Sequence, residues 1–313
     1  MPDRRMIVLA AIALIAVLLF LTVGLRGNVQ FVLQLRALKL LALLQVAISI
    51  AVSTVLFQTV TANRILTPSI MGLDALYLFG QTALIFALGG FGYASLDAGT
   101  KFGAEVLLMI ALAGALLWPL IRTRMDMNLM LLMGVTLGLL FRSLSQLLSR
   151  LLDPNAFAIV QTASFANFNM LRADLTILGT IITLAAAVVS WRARHVLDIV
   201  GLGREAAIGL GVSWIRTAAS LLLLVAVLVA VSTALVGPVV FFGLLAAALA
   251  ERVMRTQRHA LLLPAAALIA IIILVGGQTL LQHGLGGAST LGVVIEFVGG
   301  LVFLALLFHE SRK

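Results

Sequence analysis

The sequence predicts an all-α integral membrane protein with about ten transmembrane helices. Three observations carry that prediction. Of 313 residues, 62% are hydrophobic and only 11% are charged, whereas a typical soluble domain is about 25% charged. The apolar residues also come in long runs. Those at 6–25, 106–121 and 217–236 approach the roughly 20 residues that a helix needs to cross a bilayer. Finally, the runs are continuous and do not alternate with period two, which excludes a membrane β-barrel.

Reading along the chain places membrane segments at 6–25, 37–60, 70–91, 103–121, 127–150, 174–192, 214–236, 238–254, 260–281 and 291–308. The start, MPDRR followed by an apolar run, resembles a signal peptide. No small-residue cleavage site follows it, so it is read as a retained first helix. Gly237 alone separates the seventh and eighth segments and Pro238 opens the eighth, a pair of breakers that a tight helix hairpin needs. An even number of spans puts both termini on one side. Of the 21 Lys and Arg residues, fourteen then fall on that side, among them Arg4, Arg5, Arg124, Arg312 and Lys313, and seven on the other, among them Arg26. The excess of positive charge marks the side of the termini as cytoplasmic. Trp118, Trp191 and Trp214 fall near the same interface, where an indole ring is favoured. The net charge of +9 is assigned to these loops and not to nucleic acid.

Several chemistries are excluded. The chain has no cysteine, so no disulfide, thiolate metal site or cysteine-ligated cluster can form. The four histidines, His195, His259, His283 and His309, show no ligand spacing. No G-x-x-x-x-G-K-[ST] phosphate loop, H-E-x-x-H motif or nucleophile elbow occurs. If transport is active, its energy comes from a partner chain or an ion gradient.

Polar side chains are costly in hydrocarbon, so their placement is informative. In segment two Gln45, Ser49 and Ser53 recur at i, i+4 and i+8, with Gln58 and Thr61 close to the same face. The serines fit helix packing, with hydroxyls bonded to backbone carbonyls, and the glutamines fit a water-filled path. In segment five Arg142, Ser145, Gln146, Ser149 and Asp153 share a face. A guanidinium facing lipid costs at least about 2.5 kcal/mol, so Arg142 either lines a path for an anionic substrate or pairs with Glu296 of segment ten. Asp74, Tyr77 and Gln81 follow at i, i+3 and i+7 in segment three, with Asp74 suited to the positive end of its helix. A proton relay would want several buried carboxylates in series, and Asp74, Glu105 and Glu296 do not cluster in sequence. The stretch 195–216 reads as two short helical pieces punctuated by Gly201, Gly203, Gly209 and Gly211. It is either an interfacial helix or a docking surface for a soluble partner.

Taken together, three motifs resemble those of the iron-siderophore and cobalamin (FecCD-type) permeases of ABC importers. STVLFQTVTANRILTPSIMGLDALY (53–77) is similar to a stretch of the form G-x-x-x-Q-x-x-x-x-N-P-L-A-x-P-x-x-L-G, carried by Gln58, Asn63, Pro68 and Gly72. GLGREAAIGLGV (201–212) is similar to the cytoplasmic coupling element L-G-x-x-x-A-x-x-L-G. VGPVVFFGLLAAALAER (236–252), with Gly237, Pro238 and Gly243, is similar to G-P-I-G-F-V-G-L-I-V-P-H-I-x-R. His259 and Pro264 match a following H-R-x-x-L-P, and 291–307 looks like the final helix. Ala247 and Ala248 replace Pro-His, Glu251 stands where Arg is usual, and Gln278 where Asp is frequent.

The resemblance implies a type II ABC importer permease, one transmembrane permease domain over 1–313 with a coupling element at about 195–213. The pathway and gate would involve Gln45, Ser49, Ser53, Gln58, Asn63, Ile65, Arg142 and Gln146. Coupling to the ATPase would use Gly203, Arg204, Glu205, Ala207, Leu210 and Gly211. NRILTPSIMGLDALY and FRSLSQLLSRLLDPNAF look most like the branch that imports catecholate-type siderophores such as anguibactin or petrobactin, in which the two permeases are usually different chains. The implied partners are a second permease, two ATP-binding subunits and a periplasmic or lipid-anchored binding protein. The chain itself would be no enzyme and bind no cofactor. ATP and Mg would sit on the partner, and iron would be carried as a chelate across the bacterial inner or cytoplasmic membrane. Haem and cobalamin remain alternative substrates. A self-sufficient secondary transporter is a competing class, for which no internal repeat is visible. A lipid-acting membrane enzyme is another, for which no catalytic set is visible.

Overall fold

The computed structural model describes residues 2–25, 28–122, 127–169, 171–284 and 291–310. Arg26, Arg124, Arg312 and Lys313, counted above in the charge balance, lie outside the described residues. The described chain forms thirteen helices: α1 Pro2–Thr22, α2 Val29–Thr61, α3 Leu73–Ser95, α4 Ala98–Arg122, α5 Met127–Leu151, α6 Pro154–Ala163, α7 Ala173–Arg192, α8 Arg194–Val200, α9 Arg204–Gly209, α10 Trp214–Val236, α11 Phe242–Met254, α12 His259–Gly284 and α13 Leu291–Glu310. Among the described residues eight helices, α1 to α5, α7, α10 and α12, are long and apolar enough to cross a membrane.

Helix α2 is the axis of the bundle. It packs against α1, α7, α10, α11 and α12, and from Ala42 to Thr59 almost every residue is buried. In lipid there is no hydrophobic force between apolar helices, so close contact depends on small residues and on hydrogen bonds between helices. Ala42, Ala47 and Ala51 meet that need on α2, as do Ala226 and Ala230 on α10 and Ala265, Ala266 and Ala270 on α12, all buried. The Ser49 hydroxyl donates to the Leu228 carbonyl of α10 at 2.6 Å. Gln45 Nε2 donates to Thr183 Oγ1 of α7 at 2.9 Å.

The structure extends and corrects the segments read from the sequence. Segment two begins at Val29, capped by the Asn28 side chain, and not at 37. Gln34, Arg36 and Lys39 lower the hydropathy there, yet each charged group has a helical use. Arg36 Nη1 donates to the carbonyls of Phe20 at 2.9 Å, Leu21 at 3.1 Å and Val23 at 2.7 Å, which closes the unpaired C-terminus of α1. Lys39 Nζ donates to Asn169 Oδ1 at 2.9 Å. The eighth segment, expected over 238–254, becomes helical only at Phe242. Gly237 holds φ +96, Pro238 has no N–H to give, and α11 has 13 residues, about 20 Å of helix against a hydrocarbon core of about 30 Å. A side chain at Gly237 would meet the Phe165 carbonyl at 3.0 Å.

Asp153, read as part of the polar face of segment five, instead caps α6. Its Oδ1 accepts from Asn155 N at 2.9 Å and Ala156 N at 3.0 Å, with Pro154 opening the helix as a first-turn proline does. Helix α6 lay in a stretch read as a loop.

Gly243 shows how closely α11 approaches α2. A Cβ there would stand 2.1 Å from Thr54 Oγ1 and 3.1 Å from Ile50 Cγ2. We expect Gly243→Ala to destabilise the protein by about 1–3 kcal/mol through overpacking, read as a lower unfolding midpoint in detergent. Gly103→Ala on α4, where a Cβ meets nothing within 4 Å, should leave the midpoint level or raised. An unchanged midpoint in Gly243→Ala would refute the close approach.

Candidate translocation and coupling site

The end of the bundle that carries α8 and α9 also carries the first turn of α1, the last turn of α2, the end of α11 and the start of α12. Arg5 Nη1 donates to the Val253 carbonyl at 2.7 Å. Trp191 and Trp214 flank α8 and α9, and Trp118 lies beside Ala219 and Leu222 of α10. The three tryptophans therefore gather at one end, as the sequence implied.

Helices α8 and α9 have two faces. Leu197, Val200 and Ala207 are fully buried beneath them. On the outer side Leu202 is 65% exposed, Ile208 50% and Leu210 61%. Of the expected coupling residues, Glu205, Leu210 and Gly211 are open to the surface and Gly203 and Arg204 are half-buried. Ala207 is a correction: it is an anchor facing inward, out of reach of a partner. Gly203 and Gly211 hold φ +97 and +85, which bends the element around its buried side.

The last turn of α2 leads into the 62–66 turn. Ala62 is left-handed, with φ 49. The side chain of Asn63 accepts from Ile65 N at 2.9 Å, and Gln58 Nε2 donates to the Arg64 carbonyl at 2.5 Å. Arg64 is ion-paired to Glu251 at the end of α11 and hydrogen-bonded to Gln257. Leu66, Thr67 and Pro68 are buried. Gly72, at φ +90, lies against Gly138 of α5. A cleft of about 230 Å³ opens beside this turn, lined by Gln58, Thr59, Arg64, Asp198, Glu251 and His259 among others.

Within that cleft His259 is 5% exposed and has both ring nitrogens engaged. Nδ1 lies 2.8 Å from Asp198 Oδ1 of α8, and Nε2 lies 2.7 Å from Thr59 Oγ1 of α2. The backbone N–H of His259 also donates to Asp198 Oδ1 at 2.8 Å. Asp198 thus caps the start of α12 from a different helix. Sequence reading used His259 only as part of a motif and gave no weight to Asp198 or Thr59. They are separated by 61 and 200 positions, and no spacing rule connects them.

The expected pathway residues divide into three groups. Gln45, Ser49 and Ser53 are at most 1% exposed and lie inside the bundle, between α2, α7 and α10. The water-filled path expected at Gln45 is therefore corrected, since Gln45 packs within the protomer; Gln58 borders the cleft. Gln58, Asn63 and Ile65 are at the cleft and its turn. Arg142 and Gln146 are exposed on α5, and their neighbour Ser145 is buried against Thr82 at 2.8 Å. No ion pair or hydrogen bond joins Arg142 to Glu296 among the described residues, although Arg142 is within electrostatic reach of both Glu296 and the buried Asp74. Glu105 accepts from Tyr93 at 2.7 Å in a separate cluster between α3 and α4.

Residues 5–309 match the FecCD transport family. The chain belongs to that family. It is 40% identical over 313 residues to the petrobactin import system permease protein YclO of Bacillus subtilis, covering 99% of both chains. It is 30% identical over 279 residues to the petrobactin import system permease protein FatC of Bacillus anthracis, covering 88% of this chain and 78% of the relative. The fold superposes, with a TM-score of 0.83 and 20% identity, on a chain from a metal-chelate type ABC transporter in an inward-facing conformation, covering 98% of this chain and 99% of that one.

Against the motif patterns of this family, Arg64 stands in the place of the Pro of N-P-L-A, and Glu251 in the place of the Arg that ends P-H-I-x-R. The structure joins these two departures as one ion pair. The side chains are 49% and 23% exposed, so the pair is worth less than about 1 kcal/mol, and its consequence is local. Glu251→Arg alone should set two guanidinium groups against each other and raise amide exchange across 62–66. The double variant Arg64→Pro/Glu251→Arg should restore protection. Equal exchange in the single and the double variant would show that the two positions are not coupled.

Proposed function

We propose that this chain is a permease subunit of an ABC importer that moves ferric siderophores, of the catecholate class, across the bacterial cytoplasmic membrane. One observation carries this reading. A two-helix element is anchored from within by Leu197, Val200 and Ala207, presents an apolar outer face of Leu202, Ile208 and Leu210, and touches the end of the buried axis α2. Family membership supports the same reading, as do the names of the petrobactin permease relatives. The energy source is ATP, with its Mg, on a separate subunit. Iron travels as a chelate, the substrate, and this chain binds no cofactor of its own.

In this reading α8 and α9 dock on an ATP-binding subunit, and the termini share that cytoplasmic side. A second permease chain, homologous but different, covers the exposed face of α5. That face requires covering, because Arg142 and Gln146 interrupt it and a guanidinium left in hydrocarbon costs at least about 2.5 kcal/mol. Once covered, Arg142 offers a positive group to an anionic ferric complex. A lipid-anchored or periplasmic binding protein delivers the substrate to the opposite end. Nucleotide drives transport by favouring the arrangement of the docking helices that fits the closed ATPase dimer, a shift of an existing equilibrium.

Affinity purification from native membranes in mild detergent should recover a second permease and an ATP-binding subunit. A chain that purifies alone and moves solute in liposomes without ATP overturns the proposal. Gly209 is a clean probe of docking, since it lacks a positive φ and a Cβ there meets nothing within 4 Å. Gly209→Trp should preserve folding while lowering uptake at least about tenfold, and unaltered uptake argues against docking at α9. Arg142→Ala should retain protein yield and weaken uptake of an anionic ferric complex. If Glu296→Ala reproduces a loss of yield, Arg142 is structural.

A further inference from the structure

The importer reading requires that movement of α8 and α9 reach the membrane-embedded helices. The buried side of α8 is apolar and able to slide. Among the described residues one polar connection crosses it, from Asp198 to His259 to Thr59.

Each link is accounted for atom by atom. Asp198 Oδ1 accepts from the backbone N–H of His259 at 2.8 Å and faces the Nδ1 of the same residue at 2.8 Å. Two contacts on one oxygen fix the carboxylate against the first turn of α12, where backbone N–H groups lack helical partners and a negative charge is favoured. On the far side of the ring, Nε2 meets Thr59 Oγ1 at 2.7 Å. The Thr59 hydroxyl is also 2.7 Å from the Val55 carbonyl. It has one proton, which it gives either to Val55, accepting from Nε2–H, or to Nε2. A ring protonated on Nδ1 alone donates to Asp198 and takes the Thr59 proton on Nε2, whereas the arrangement in which Thr59 gives its proton to Val55 needs both ring nitrogens protonated. His259 is 5% exposed, so breaking either link would leave a buried polar group without a partner. Thr59 lies in the last turn of α2, three residues before the left-handed Ala62 that opens the 62–66 turn. Gln257, two residues before His259, holds Arg64 of that same turn.

We propose that Asp198, His259 and Thr59 form a positioning relay that makes the end of α2 and the 62–66 turn follow α8. The proposal rests on the importer reading. The cleft beside the relay leaves space on one side for the turn to move, and the relay sets the direction of that movement. His259 is the pivot because a ring with nitrogens on opposite edges can bridge two helices, whereas a shorter amide reaches only one. In this proposal the three residues act by positioning the turn and not on the substrate.

The test uses the assembled importer in liposomes with ferric petrobactin and ATP. Thr59→Val keeps the shape of the side chain and removes its hydroxyl, and Thr59→Ser restores the hydroxyl. Asp198→Ala removes the other link. We expect Thr59→Val and Asp198→Ala to retain the ATPase subunit and its hydrolysis but to move at least tenfold less chelate per ATP, with Thr59→Ser close to wild type. Because the natural chain has no cysteine, an Ile65→Cys background reports the turn directly by maleimide labelling. ATP should change its labelling rate, and Thr59→Val should abolish that change. Wild-type transport per ATP in Thr59→Val overturns the relay, as does loss of the ATPase subunit from that variant, which would assign Thr59 to assembly. A wild-type complex that neither hydrolyses ATP nor moves chelate removes the importer reading itself and the relay with it.

Discussion

The structure depends on the enclosure of α2. From Ala42 to Thr59 almost every residue of α2 is buried, so this stretch has little open surface on which to place a bulky residue and no solvent in which to leave a polar one. Its sequence obeys both restrictions. Small residues at Ala42, Ala47, Ser49, Ala51 and Ser53 admit the neighbouring backbones, and the Ser49 hydroxyl and the Gln45 amide nitrogen bond Leu228 O and Thr183 Oγ1, while Gln45 Oε1 is buried without a partner. The same restriction shapes the other helices. Gly243 is a glycine because Thr54 occupies the space of its side chain. Arg36 can sit within a long apolar helix because the end of α1 supplies it with carbonyl oxygens. The enclosed axis then emerges at one end, where it meets α8.

How much of this could be read in advance depended on whether the information was local. The fold class followed from composition and run length, because a bilayer sets both. The α8–α9 element was legible as two short pieces, since glycines mark its bends and Gly203 and Gly211 hold positive φ. The polar stripe of α2 was legible as a stripe but not as packing. Helical periodicity says which residues share a face and nothing of what that face meets. The same limitation affected Asp153, whose spacing fits the face of α5 but whose side chain caps the next helix, and Arg142, for which Glu296 was a reasonable partner by charge alone. The start of α2 was hidden for a different reason. Charges that cap or bridge reduce hydropathy without interrupting a helix, so a hydropathy reading starts the span too late.

Departures from a family pattern carry information that the pattern does not. Arg64 and Glu251 each break a motif, and taken singly each would suggest a weakened gate. In space they contact each other, so the exchange of a proline and an arginine for an ion pair leaves one tie between the 62–66 turn and α11. A proline stiffens a turn through its fixed φ, and a tethered arginine restrains it through a partner 187 positions away. The second solution is partly exposed and therefore sensitive to ionic strength in a way the first is not.

In the proposed importer, the site at the end of α2 also explains how coupling would be compatible with a helix so tightly packed. An element that slid freely on an apolar surface would lose displacement at every contact, because apolar contacts have no directional preference. Hydrogen bonds do have one, and those of His259 run across two helix boundaries in a buried site where an unmade bond is costly. The apolar anchors Leu197, Val200 and Ala207 keep α8 and α9 seated, while the polar links determine which residues move with them. Small displacements are transmitted through such a junction because the surrounding core is close-packed and resists gradual deformation. In the proposed relay the enclosed middle of α2 stays fixed, and movement is confined to its final turn, beside the cleft.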